Sequence, residues 1–305
     1  IQVGTVLCVA FLGNGSEIKG FCYFATVVAL IFVVTEAILF FTIKEKKSEK
    51  KMETASIKDM FSALFHNDQA MLTVITIVLI NSALYITSNL ILYFFKYDIG
   101  TELWKNNYTL FTTIGGATQI LGMMVLYPVL RNKLSNTTIF KSSLCMAILG
   151  YALLLFASFM NLAHNMVVLC LIGALVFSAN GMLSVLTTVF LSASVDYGEI
   201  KTGRREESVI FSMQTFVVKA ASGFAVFLTG IGLDMIGLAG NSEDGIPAVQ
   251  SAFTITGLRC LMTLLPILGL CIALLLFKKK FILTDAKTQE IAERLREKHD
   301  MENHN

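Results

Sequence analysis

A chain of 305 residues that is 55% hydrophobic and 15% charged, with a mean hydropathy of +0.68, does not have the composition of a soluble protein. Several apolar runs reach the ~20 residues that carry a helix across a bilayer, so the expected class is an all-α polytopic membrane protein. The net charge of +2 says little about partners, and the six cysteines lie in or beside apolar segments without a C-x-x-C pair, which sets aside a disulfide framework or a metal cluster.

In chain order, residues 1–13 read as the end of a spanning helix, GNGSEIKG (13–20) as a turn and 20–43 as a full span. The chain begins at Ile1 inside an apolar run with no initiator Met and no signal peptide, and is expected to be truncated at its N-terminus. The basic run KEKKSEKK (44–51) opens a polar segment that lasts to Gln69, within which IKDMFSALF (57–65) has the pattern of a short amphipathic surface helix. Further spans are expected at about 70–95, 107–130, 138–159, 166–195, 207–233 and 250–277, followed by a charged, helical tail. This gives four regions: the last helices of an N-terminal transmembrane half (1–43), a central cytoplasmic loop (44–69), a six-helix transmembrane half (70–280) and a cytoplasmic tail (281–305). Six spans after a central loop make the half-unit of a twelve-helix transporter built from two similar halves.

Orientation follows from the lysines and arginines. With the 44–70 loop inside, that side holds fifteen of them and the opposite loops hold three, Lys19, Lys96 and Lys105. The positive-inside bias therefore puts the basic loop and the C-terminus in the cytoplasm.

The stretch Asp196 to Lys219, DYGEIKTGRREESVIFSMQTFVVK, carries a charged loop directly into an apolar helix with a lysine in its middle. A lysine at membrane depth costs roughly 2.5–3.5 kcal/mol on insertion scales. Ser208, Ser212, Thr215, Lys219 and Ser222 are spaced 4, 3, 4 and 3, and Thr229 extends the row by seven; this is one stripe of a helix, which is expected to face the interior of the six-helix bundle. The plainer alternative is a lysine snorkelling to the headgroups. Other polar rows are Asn81, Tyr85, Asn89 and Lys96; Tyr108, Thr112, Gly115 and Gln119; and Asn180, Ser184 and Thr187 or Thr188. Each supplies hydroxyls and amides suited to a sugar, or simply hydrogen bonds between helices. Glu36, and Arg259 with Asp234 as a candidate partner, stay unassigned; Trp104 reads as an interface anchor.

The motif DYGEIKTGRREESVIFSMQTFVVKAASG resembles the glycoside–pentoside–hexuronide:cation symporters, the family of the melibiose permease, within the major facilitator superfamily. The segments LILYFFKY (90–97), GLDMIG (232–237), Gly257-Leu258-Arg259 with Pro266, and LTDAKTQEIAERL (283–295) fit the same family, so the likeness covers essentially the whole chain. It implies the major facilitator fold, here the C-terminal six-helix half plus the end of the N-terminal half, and import of a sugar, glycoside or hexuronide driven by inward flow of Na⁺, H⁺ or Li⁺. The residues expected to bind substrate are Lys219, Thr215, Gln214, Ser212, Ser184, Asn180, Asn81, Tyr85 and Gln119. Asp196, Tyr197, Glu199, Lys201, Arg204, Arg205 and Glu206 are expected to form a cytoplasmic gate that pairs across the two halves, against the simpler reading of a solvated loop. No cofactor or resident metal is expected. The coupling cation, Na⁺ or H⁺, would have its main site in the missing N-terminal part. The expected partners are a small-molecule sugar, that monovalent cation and the lipid bilayer, with no nucleic acid, and the protein is expected to be a monomer in the bacterial inner membrane. Alternatives keep the fold and change the cargo to a lysolipid or organic anion, or keep the fold as a non-transporting sensor or scaffold. An enzyme is not expected, because no acid–base or metal constellation occurs.

Overall fold

Helices form where the apolar runs lie, because a backbone in lipid must satisfy its own hydrogen bonds. The computed structural model describes residues 11–13, 17–42, 62, 64–100, 103–203, 206–238 and 249–303, and among these every regular element is helical. Seven of the described helices are long and apolar enough to cross a membrane. Most of the expected span at 1–13, the basic run 44–51 and most of the expected surface helix 57–65 lie outside the described residues.

The chain divides into two units, residues 1–54 and 55–305. In the first, α1 (Glu17–Thr42) is a 26-residue helix whose Thr26 and Thr35 hydroxyls donate back to Cys22 O and Ile31 O. Most of its described apolar side chains are exposed, and so is Glu36.

The second unit holds α2 (Asp68–Tyr93) with a π-helical turn at Phe94–Ile99, α3 (Trp104–Leu121) with a π-helical turn at Gly122–Leu126, and α4 (Tyr127–Arg131). After these come α5 (Asn136–Phe159), α6 (Met166–Thr202), α7 (Glu207–Met235), α8 (Ala252–Lys280) and the tail helix α9 (Asp285–Asn303). Four starts carry side-chain caps: Asn67 accepts from Ala70 N, Ser135 from Thr138 N, Asn165 from Val167 N and Val168 N, and Ser251 from Thr254 N. Two of the departures from the expected boundaries bear on the site. α2 starts at Asp68 and its π-turn carries it to Ile99, so the polar segment thought to last to Gln69 ends inside a helix. α6 runs to Thr202, so the stretch 196–202 is helix and not loop. It stops where Gly203, at φ 73°, takes the left-handed conformation that a side chain would resist.

α2 and α6 are the two central helices: α2 packs on α8, α7 and α6, while α6 packs on α5, α3 and the tail helix. Lipid supplies no hydrophobic drive between spanning helices, so contact depends on close approach. Glycine provides it between α3 and α6. A Cβ at Gly181 would sit 2.1 Å from Gln119 O, and one at Gly122 would sit 2.3 Å from Ser178 O. Toward the end that bears the tail, Phe140, Phe190, Phe277 and Phe281 from α5, α6, α8 and the α8–α9 connection form one ring cluster, with centroids 4.3–5.3 Å apart. Pro266 inside α8 has no N–H to offer Met262 O. The Thr87 hydroxyl of α2 reaches that carbonyl at 3.4 Å and lies 3.0 Å from the Tyr151 hydroxyl of α5, so one part-buried polar node joins three helices.

Candidate transport face and tail-end polar cluster

α7 is two-sided. It buries Ile210, Met213, Ala221 and Ala225, and its main partner is α2. Lys219 lies two residues from Ala221, about 200° around the helix. It is exposed, as are Ser212 and Thr215, and Lys219 has no ion-pair partner among the described residues. The expectation that this row faces the interior of the six-helix bundle is therefore corrected. The apolar row takes the interior, because a buried, unpaired ammonium would be far more costly than buried alanine or methionine. Lys219 is twelve residues from one end of α7 and sixteen from the other, so it stays at mid-depth on an open face. The hydroxyls of the row look after themselves: Thr215 donates to Phe211 O at 3.0 Å and Ser222 to Lys219 O at 2.8 Å. Gln214 is half-buried and about 140° around from Lys219, so the helix separates these two expected binding residues.

On α6, Ser184 and Thr188 are exposed, whereas Thr187 is buried. Asn180 is only 3% exposed and its Nδ2 has no hydrogen-bond partner among the described residues. It is a core residue in this conformation and touches no open surface, which corrects its assignment to substrate contact here. Burial of the α6 face that carries Ala179 and Leu183 draws it in. On α2, Asn81 is half-buried and donates to Ile77 O at 2.8 Å; half-buried Tyr85 packs on the core; Asn89 has a buried, unpartnered Nδ2. Gln119 of α3 is half-buried, beside the crossing at Gly181.

The expected gate residues Asp196, Tyr197, Glu199 and Lys201 occupy the last two turns of α6, with Glu199 buried. Arg204 and Arg205 lie outside the described residues, and Glu206 is half-buried at the start of α7. Lys201 Nζ meets Asp68 Oδ1 at 2.6 Å and lies over the Tyr197 ring; the Tyr197 hydroxyl donates to the same oxygen at 3.4 Å. Among the described residues, Lys201 and Tyr197 thus meet the start of α2, within one unit. Three consecutive residues that sequence reasoning left in a loop build this cluster. Asn67 donates to Ser194 O at 2.8 Å, Asp68 takes the lysine, and Gln69 receives Ile282 N at 3.1 Å and donates to Asp68 Oδ2 at 2.8 Å. An asparagine followed by an acid just before an apolar run is a helix-start signal, and it could have identified them. Leu283, Ile291 and Leu295 of the tail bury against Ala193 of α6, and Arg131 binds Asp285 at 2.8 Å. Within α9, Lys287 donates to Glu290 at 2.8 Å and holds its carboxyl below the usual range.

At the opposite end Arg259 of α8 grips Asp98 of the α2 π-turn with both arms, Nε to Oδ2 at 2.7 Å and Nη2 to Oδ1 at 2.6 Å. The partner considered from sequence was Asp234; Asp98 replaces it.

Comparison with known proteins gives a consistent answer. A family model described as MFS/sugar transport protein matches residues 2–283. The chain is 25% identical over 286 residues to a lactose permease of Lactobacillus helveticus, covering 92% of this chain and 42% of that protein. It is 25% identical to a raffinose carrier protein of Pediococcus pentosaceus, covering 91% and 42%. It is 27% identical to an isoprimeverose transporter of Lactiplantibacillus pentosus, covering 97% and 59%. The chain spans about half the length of the curated relatives it matches.

Proposed function

The chain belongs to the MFS/sugar transport protein family, and from that premise we propose that it is part of a secondary active transporter that imports a sugar, glycoside or hexuronide by symport with Na⁺ or H⁺. It acts in the bacterial plasma membrane, as a monomer, with the tail helix on the cytoplasmic side. It moves its substrate without chemical change, so it is not an enzyme. The basic residues around Lys201, Lys278–Lys280 and the 44–51 run support that orientation.

One observation carries the reading: a lysine at mid-depth of a spanning helix lies on an exposed face, amid Ser212, Thr215 and Ser222, with no partner among the described residues. In a transporter of the relatives' length, that face meets a second set of helices across a wet cavity, where alternating access places substrate near the midplane. Lys219 then serves as a point donor to a sugar hydroxyl or hexuronate carboxylate, and a carboxylate from the facing helices completes the cation-linked network. Thr215 and Ser212, on the same face, supply hydroxyls; Ser184 of α6 and Gln214, on the flank of α7, offer further polar groups. The relatives' names, which mention lactose, raffinose and isoprimeverose, support a glycoside as cargo.

The test uses the full-length protein in vesicles, with counterflow of labelled glycosides under Na⁺ or pH gradients. Wild type should exchange at least one glycoside, and Lys219→Met should reach the membrane but accumulate none. Normal accumulation by Lys219→Met would remove the lysine from the mechanism; absence of exchange with any glycoside, hexuronate or lysolipid would remove transport.

A further inference from the structure

The Asp98–Arg259 fork, bonded through both arms of the guanidinium, is the best-formed ionic contact among the described residues, and the transport face does not use it. Its side chains are 4% and 13% exposed. Arg259 Cζ lies 5.8 Å from the Phe159 ring centre, so α2, α8 and the end of α5 meet there. Asp98 is carried by the six-residue π-turn FFKYDI, whose Phe94, Phe95 and Ile99 are buried, and which ends at Gly100. Tyr97 of the turn stacks on Tyr93 with ring planes 9° apart, and Lys96 sits over the Tyr97 ring.

A π-turn holds one residue more than the α-helix it interrupts. If it relaxes to α, the side chains toward its far end, Asp98 among them, rotate by up to about 100°. Asp98 would then leave Arg259, and two nearly buried charges would lose each other, a loss that buried pairs do not tolerate. The fork and the π register therefore require one another.

We infer that Asp98 and Arg259 are positioning residues of the transport cycle: their fork latches the π-turn at the outer end of α2, and its release lets that end change register as the cavity opens or closes. The inference rests on the transporter reading above. α2 is the helix on which Lys219-bearing α7 packs, so the register of its outer end bears on the transport face without touching substrate.

The experiment uses the full-length protein with a single reporter cysteine, Lys96→Cys, labelled from outside by an impermeant maleimide. Asp98→Asn and Arg259→Lys should each speed labelling on the order of tenfold, and should lower the maximal transport rate while leaving the equilibrium Kd for sugar unchanged. The exchanged pair, Asp98→Arg with Arg259→Asp, should restore slow labelling. If Asp98→Asn fails to reach the membrane, Arg259→Lys, which keeps the charge and loses the fork, decides the question alone. Unchanged labelling in the variants that fold overturns the latch. So does a parallel fall of transport, sugar binding and thermal stability, which would mark a merely structural pair. If wild type exchanges no sugar, the transporter reading fails, and the labelling arm still decides whether the fork holds the turn.

Discussion

Replacing Gly181 by alanine tests the packing of α3 on α6. The added Cβ would lie 2.1 Å from Gln119 O and 3.1 Å from both Gln119 C and Met123 N. It would be 3.4 − 2.1 = 1.3 Å short of ordinary contact, and the obstructing atoms are backbone, so no side chain can swing away. The helices must separate, and the same seam then loosens where Phe177 lies over Gly115 and Phe111 over Gly173. Overpacking of this kind costs about 1–3 kcal/mol, offset by about 1 kcal/mol from the better helix propensity of alanine. Because the clash is with backbone, the overpacking cost lies near the upper end, about 3 kcal/mol, and the net expectation is a loss of about 2 kcal/mol. Gly116, on the same helix α3, has nothing within 4 Å of its would-be Cβ and serves as the control. The assay is thermal unfolding of the purified full-length protein in detergent, followed by reaction of its cysteines with a fluorogenic dye. Gly181→Ala should melt about 4–8 °C lower, taking 2–4 °C per kcal/mol, while Gly116→Ala should hold or rise. Equal midpoints for the two variants would show that the crossing is looser than the backbone contact requires.

Other outcomes follow from single contacts. Cysteines at Ser212, Thr215 and Lys219 should react with water-soluble thiol reagents in the full-length transporter, and cysteines at Met213 and Ala225 should not; the reverse pattern would mean that α7 is turned around. Thr87→Val should cost about 1–2 kcal/mol through the carbonyl of Met262 and the Tyr151 hydroxyl, read as a lower midpoint that Thr87→Ser largely restores. The exposed Asp68–Lys201 pair should matter little, because solvent screens it, whereas Asn67→Ala, which removes both a helix cap and the bond to Ser194 O, should cost about 2 kcal/mol; equal losses would contradict the burial difference.

How much of this was legible in the sequence depended on the range of the interaction concerned. The spans were visible because hydropathy is summed along one helix. The end of α6 was not, because Asp196, Glu199 and Lys201 break the apolar run without breaking the helix; Gly203, the actual stop, stood eight residues past the expected end at 195. Lys219 was conspicuous as a charge within an apolar run, but its direction depends on which face α2 covers, and the small residues Ala221 and Ala225 that settle this carry no strong signal of their own. The burial of Asn180 was hidden for the same reason: a polar side chain on a helix does not announce which neighbour buries it. The Asp98–Arg259 pair joins residues 161 positions apart through a π-turn that has no sequence signature, so only Arg259 drew notice.

The 37 residues of α6 make a rod of about 55 Å, whereas the hydrocarbon layer is ~30 Å thick. A rigid rod that long is a lever. Pivoting it by roughly 10° about the bilayer midplane sweeps its tip through about 5 Å. The tip is the segment that carries Tyr197 and Lys201, tied to Asp68 and flanked by the tail helix. A movement too small to resolve at mid-depth thus becomes a displacement of a full helical turn at the membrane surface. A spin-label pair between Ile200 and the tail helix would register as ångströms what the centre of the molecule does in fractions of one.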